Sequence, residues 1–255
     1  MKERDIVKDS SGQVIVITAL LVAMVLLSTS IYVIETEKNV PLVGVDTSNG
    51  YLAFRLATRN TLISALANMT NGGNPDVLTA DLNQLGSVFA SNSYQSITQT
   101  SFTTLNQTPY QNGVEVSWGS NGQGVSSDCV VLTVNSTGRS SSSNLEYRVT
   151  VVTSVNVGGS YRQLDGNATS VTLRLNLQNE GQPALAQAMT FYFQDSSDNW
   201  VRADSPTTVD FGNGTYTGAF TVENALINLP LRVSAVCLDQ RGITAVANST
   251  CTNAS

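Results

Sequence analysis

The chain has 255 residues, with thirteen Lys and Arg against nineteen Asp and Glu and a net charge of −6; charged residues make up only 13% of it, about half the share usual in soluble domains. It contains no histidine, which removes His-based triads, imidazole general bases and His-ligated zinc together. Lys and Arg form no cluster, so the phosphate contacts of a nucleic-acid protein are missing, and Ser, Thr, Asn and Gln supply a polar, weakly charged surface instead.

Val14 to Ile34 carries no charge. At a rise of 1.5 Å per residue, about 20 apolar residues cross a hydrocarbon core of about 30 Å. A secretory signal has a shorter apolar region of about 7–15 residues and a small-residue cleavage site, whereas this run ends in Tyr32-Val-Ile-Glu-Thr-Glu. Residues 13–36 are therefore expected to form a transmembrane helix that contacts lipid through 14–34. Lys2, Arg4 and Lys8 precede it and only Lys38 follows closely, beside Glu35 and Glu37. That imbalance places residues 1–12 in the cytoplasm as a leader and everything beyond the anchor outside the cell.

The charged leader, Gly12-Gln13 and the long apolar segment resemble the archaeal type IV pilin-like and archaellin-like families over residues 1–36. The resemblance implies a prepilin-type cut between Gly12 and Gln13, after which the helix packs into a filament core or stays in the membrane. Ser10 and Ser11 stand where that family has a basic pair, and Ile17 where it has a Glu. An uncleaved anchor fits the same residues, so both readings stay open.

Pro41 and Gly44 interrupt the chain, and Asp46, Thr47 or Ser48 can cap a new helix running to about Met69. Its expected apolar stripe is Leu52, Leu56, Ile63 and Leu66. After Asn71-Gly72-Gly73, Asn74 with Pro75 opens a second helix, and Leu78, Leu82, Leu85 and Phe89 fall on one face. The spacing thus predicts a helical hairpin that packs on a sheet, although the same stripes could pair with a partner subunit.

From about Ser101 the period becomes two. Val114, Val116 and Trp118 alternate with polar residues, as do Leu145, Tyr147, Val149 and Val151, while Val130, Leu132 and Val134 form a third run of this kind; such patterns mark strands with one buried face. Residues 37–157 are accordingly expected to form a membrane-proximal α+β region, with a boundary near Gly158-Gly159.

Beyond it come Val171–Leu177, Ala188–Phe193, Trp200–Arg202, Tyr216–Val222, Leu231–Cys237 and Ile243–Asn248. Short strands at this density indicate a β-sandwich over 158–255. The residues Glu180-Gly-Gln-Pro-Ala-Leu-Ala, Asp210-Phe-Gly-Asn-Gly-Thr-Tyr216 and Leu231-Arg-Val-Ser-Ala-Val-Cys-Leu-Asp-Gln resemble immunoglobulin-like modules of prokaryotic surface proteins. That resemblance implies an all-β immunoglobulin-like sandwich used as a spacer or adhesive element rather than for chemistry.

Cys129, Cys237 and Cys251 are the only thiols, with Cys237–Cys251 the favoured pair because the intervening loop is short. None has a basic neighbour to make it nucleophilic. Seven Asn-x-Ser/Thr sequons, at Asn68, Asn106, Asn135, Asn167, Asn213, Asn248 and Asn253, are candidate glycosylation sites for an outside-facing chain. Asp195, Asp198, Asn199, Asp210 and Asn213 offer oxygen ligands for calcium, but such residues ordinarily build turns, so no metal and no cofactor is assigned. The reading is a non-enzymatic, single-pass cell-surface protein that displays its sandwich to a protein or glycan partner. A pilin-like subunit forming a homo-oligomer or filament, and a ligand-binding accessory subunit of a membrane complex, are the alternatives.

Overall fold

The computed structural model describes residues 47–91, 97–119, 121–137, 142–164 and 166–254. The expected leader, anchor helix and Gly12-Gln13 junction lie outside these residues, and among the described residues no helix is long and apolar enough to cross a membrane.

Helix α1 spans Thr47–Thr70 and α2 spans Val77–Ser91. On α1 the buried positions among the described side chains are Phe54, Thr58, Leu62, Ala65, Leu66 and Thr70, one face at helical spacing. This corrects the expected stripe: Leu52 and Leu56 are 55% and 52% exposed, and of that set only Leu66 is fully buried. The choice between the two faces follows from Phe54, whose ring packs on Phe89 and Phe102. Thr58 and Thr70 are tolerated inside because their hydroxyls donate to the carbonyls of Phe54 (2.9 Å) and Leu66 (2.8 Å) one turn back. On α2 the expected face holds, with Leu78 and Leu82 buried and Leu85 and Phe89 half-buried. Asn74 accepts a hydrogen bond from the Asp76 amide at 2.9 Å just ahead of that helix.

The strands are β1 Ile97–Thr104, β2 Val114–Trp118, β3 Gln123–Thr137, β4 Ser142–Gln163, β5 Ala168–Asn179, β6 Gln182–Pro183, β7 Ala186–Gln194, β8 Trp200–Arg202, β9 Thr207–Asp210, β10 Thr215–Glu223, β11 Arg232–Asp239, β12 Thr244–Thr250 and β13 Thr252–Asn253. They form two sheets. The larger has the order β1-β3-β4-β5-β10-β9, with β2 beside β3, β6 beside β5 and β13 beside β4; the smaller has the order β12-β11-β7-β8.

Strand β4 organises the molecule. Its residues 142–156 pair with β3, and 153–163 pair with β5. At about 3.3 Å per residue, its 22 residues span about 70 Å. The boundary expected at 157/158 falls inside this strand: Gly158 and Gly159 are both paired to β5, and Leu52–Ser255 is one compact unit. The glycine pair allows close packing instead of marking a linker, since a Cβ at Gly159 would collide with the Cys251 sulfur and the Leu173 side chain.

The face of the large sheet is covered in two halves. Over β3 and the first half of β4, Leu62, Leu66, Leu78 and Leu82 of the helices pack on Val130, Val149 and Val151, with Ile243 entering from the β11–β12 turn. Over β5 and the second half of β4 the small sheet packs, burying Val155, Val171, Leu173, Leu175 and Leu177 against Phe191, Val233, Ala235, Cys237 and Ala245. The expected alternations at 130–134 and 171–177 coincide with buried positions, and that at 145–151 is buried at Val149 and Val151 and half-buried at Leu145 and Tyr147. That of β2 does not coincide with burial: Val116 and Trp118 are 46% and 43% exposed, because β2 is an edge strand with only β3 beside it.

Candidate functional site: a polar junction between two cores

The two cores meet along β4 at Thr153, which is fully buried. Its Oγ1 donates to Asp239 Oδ2 at 3.0 Å and accepts from Arg241 Nη2 at 2.8 Å. Asp239 ends β11, and its Oδ1 accepts the amides of Arg241 (2.8 Å) and Ile243 (2.9 Å), an Asx turn that fixes the β11–β12 hairpin. The Arg241 guanidinium donates from Nε to Asp239 Oδ2 at 2.9 Å, from Nη1 to Glu180 Oε1 at 2.6 Å and from Nη2 to the Val152 carbonyl at 3.0 Å. Glu180 reaches this point because it occupies the left-handed region (φ 49) beside Gly181 (φ 76), in the two-residue turn between β5 and β6 that such conformations permit. Its second oxygen accepts from Arg59 of α1 at 3.1 Å.

Around this cluster the end of α1 is tied to the same hairpin. Asn71 Nδ2 donates to the Gly242 carbonyl at 2.8 Å, Thr244 Oγ1 donates to Asn71 Oδ1 at 2.9 Å, and the Thr244 amide donates to Thr70 Oγ1 at 3.1 Å. On the sheet side, Ser126 Oγ donates to the Thr244 carbonyl at 2.6 Å. The junction thus joins α1, β3, β4, the β5–β6 turn and the β11–β12 turn through polar groups.

Two residues along β3 from Ser126 lies Asp128, fully buried, with neither carboxyl oxygen holding a hydrogen-bond partner. It stands opposite Val114 of β2 and Val151 of β4, and directly opposed residues in an antiparallel pair share a face. Asp128 therefore points to the side covered by the helices. Burial pushes its carboxyl well above the usual carboxylate range; the amides of Asp128 and Val151 and the Arg241 charge pull it back by less, and Glu180 adds to the rise. Burial of this kind disfavours the charged form of a carboxyl.

The residues singled out from the sequence lie elsewhere and apart. Cys129, Cys237 and Cys251 are buried, free thiols. Cys237 stands opposite Ala245 and Met189, while Cys251 lies past the end of β12 with its amide donating to Leu231 at 2.8 Å; burial pushes both thiols up to about 12. Of the sequons, Asn106, Asn167 and Asn213 are exposed outside helices and strands, Asn68 is exposed on α1 and Asn253 on β13. Asn135 and Asn248 are half-buried within β3 and β12, and Asn248 Oδ1 is enclosed without a partner. Asp195 Oδ1 accepts the amides of Ser197 and Asn199 at 2.8 Å each, and Asp210 Oδ1 accepts that of Gly212 at 2.7 Å, so these acids build turns. An open groove of about 660 Å³ between α2 and β1 is lined by Leu82, Asn83, Ser87, Gln99, Thr100 and Phe102 among others, none of them titratable.

Sequence reasoning missed the junction and Asp128. The available signal was a charged residue standing in the buried phase of Ser126, Val130, Leu132 and Val134. The fold and the site together define a mostly-β protein of two packed sheets with a helical layer, whose buried polar groups are engaged in joining its parts. No family model matches the chain, and no curated protein matches it.

Proposed function

We propose that the chain is a single-pass, membrane-anchored cell-surface protein of structural or adhesive type, displaying an immunoglobulin-like sandwich. The observation that carries this reading is the uncharged run Val14–Ile34, with its basic residues concentrated on the N-terminal side. The strand orders support the immunoglobulin-like part. The sequence β4-β5-β10-β9 against β12-β11-β7-β8 follows the A-B-E-D and G-F-C-C′ orders of that architecture. Cys237 then falls on the strand that carries one half of the antibody inter-sheet disulfide, while β5, its counterpart, has no cysteine. Display of loops by a rigid scaffold is the function such a module supports.

Lysine chemistry tests the topology. The chain has lysines only at 2, 8 and 38. A membrane-impermeant amine reagent applied to intact cells should label Lys38 and leave Lys2 and Lys8 unmodified, and the protein should sediment with membranes. Recovery in the soluble fraction, or labelling of Lys2 and Lys8 on intact cells, would refute the reading.

Gly12-Gln13 immediately ahead of the run supports a second reading, a pilin-like subunit that assembles through its N-terminal helix. Mass spectrometry of the native protein distinguishes the two, because Gln13 as the first residue belongs only to the cleaved subunit.

A further inference from the structure

Asp128 has no part in the junction's hydrogen bonds, although it lies beside them. Ser126 and Thr153 stand opposite one another in the β3–β4 ladder, and Asp128 and Val151 are the next pair on the same face. Arg241, whose charge acts on Asp128, is already committed to Asp239 and Glu180. Its contacts with Asp239, Glu180, Thr153 and Val152 leave little donor capacity for a third carboxylate. The hydrophobic cluster on this face comprises Val130 of β3, Val149 and Val151 of β4, Leu62 and Leu66 of α1, Leu78 and Leu82 of α2, and Ile243 before β12, with Val114 of β2 packed against it. Among the charged groups on these elements, Arg59 of α1 is paired with Glu180; Arg55 of α1, Asp76 just ahead of α2, and Glu146, Arg148 and Arg162 of β4 are exposed, while Asp81 of α2 and Glu115 of β2 are half-buried. The carboxylic acid can stay in this position only as its neutral form, because an unpaired carboxylate in an apolar core must gain a cation or reach water.

We propose that Asp128 is a proton-operated latch: with the carboxyl neutral, α1 and α2 stay seated on β3 and β4, and loss of its proton unseats this helical layer while the two-sheet core stays folded. The two-sheet core differs in that the buried acid on its strands, Asp239 at the end of β11, is paired with Arg241. The groups that reopen would be Leu62, Leu66, Leu78 and Leu82 with the sheet valines beneath them, a continuous apolar surface that the neutral latch keeps covered.

Hydrogen exchange on the full-length protein in detergent tests this. Exchange rates between pH 5 and pH 9 are divided by the intrinsic amide rate at each pH. Peptides of α1 and α2 should lose protection by about tenfold or more as pH rises, the change expected for each unit by which a carboxyl departs from its ordinary value, while peptides of β5 and β10 stay constant. Asp128→Asn, which keeps the shape without the titrating proton, should remove the pH dependence. Equal protection of α1–α2 at all pH values, or the same pH dependence in Asp128→Asn, overturns the proposal. Should that variant fail to fold, infrared spectroscopy of the wild-type protein at neutral pH decides: a buried protonated-carboxyl carbonyl band is expected, and its absence overturns the latch.

Discussion

Arg241 and Glu180 meet at 2.6 Å, and the same Glu180 carboxylate holds Arg59 of α1 at 3.1 Å. Arg241 is the inner member of this chain, with its side chain 15% exposed against 41% for Arg59. Arg241→Ala leaves the fully buried Asp239 carboxylate without its cation, and breaking a buried pair from one side costs about 3–5 kcal/mol. Part of that is recovered through Asp239's remaining hydrogen bonds, so a loss of about 2–4 kcal/mol is expected in urea unfolding. Arg59→Ala, at the exposed end, should cost less than about 1 kcal/mol.

The burial pattern of α1 makes a contrast within one helix. Leu62→Ala removes a side chain with no exposure and should cost about 2–5 kcal/mol. Leu52→Gln and Leu56→Gln alter exposed positions and should stay within about 0.5 kcal/mol. Thermal or urea unfolding of the three variants measures the difference, and equal losses would restore the stripe that the sequence suggested.

Where β12 approaches β3, glycine is a steric requirement. A Cβ at Gly124 would collide with the Val246 carbonyl, a backbone atom that no side-chain rotation can move. At Gly218 a Cβ would lie 2.5 Å from the Phe191 ring. Gly124→Ala and Gly218→Ala are each expected to destabilise by about 1–3 kcal/mol, seen as a lower unfolding midpoint.

Asp128 makes stability depend on pH in a fixed direction. Its folded-state carboxyl lies well above the ordinary carboxylate value, so in the window between the two the folded protein binds more protons than the unfolded chain. Stability from this group is therefore full below about pH 4 and falls as pH rises toward the folded-state value. Asp128→Asn should raise the melting temperature at neutral pH and lose that advantage in acid. A variant less stable than wild type at neutral pH, yet still folded, would contradict the assignment.

The thiols supply a fifth check. Cys237 and Cys251 are raised to about 12 by burial, and only the thiolate reacts. Alkylation at pH 8 should modify neither in the native protein and both after denaturation.

Much of the two-sheet core is legible in the sequence alone. Val171, Leu173, Leu175 and Leu177 alternate without a lapse because both neighbouring strands and the opposing sheet demand it. Trp200–Arg202 was found as a strand from its composition, and Asn74-Pro75 marked the approach to α2. The rest depended on contacts that no local pattern encodes. Leu52 and Leu56 fit a helical stripe as well as Phe54 and Leu62 do, and only the rings of Phe89 and Phe102 decide between them. Gly158-Gly159 reads as a linker until the Cys251 sulfur is seen against it. The junction is less visible still: Arg59, Glu180 and Arg241 are separated by 121 and 61 positions, and none belongs to a local motif for binding or catalysis.

Because β4 is a member of both halves of the large sheet, tension applied along it would meet the ladders to β3 and β5 in shear. Those bonds must give way together rather than peel one at a time, and the stretch they share at residues 153–156 couples rupture of one half to the other. A tethered molecule built this way would resist a pull as one body, and its extension under load should occur in a single large step.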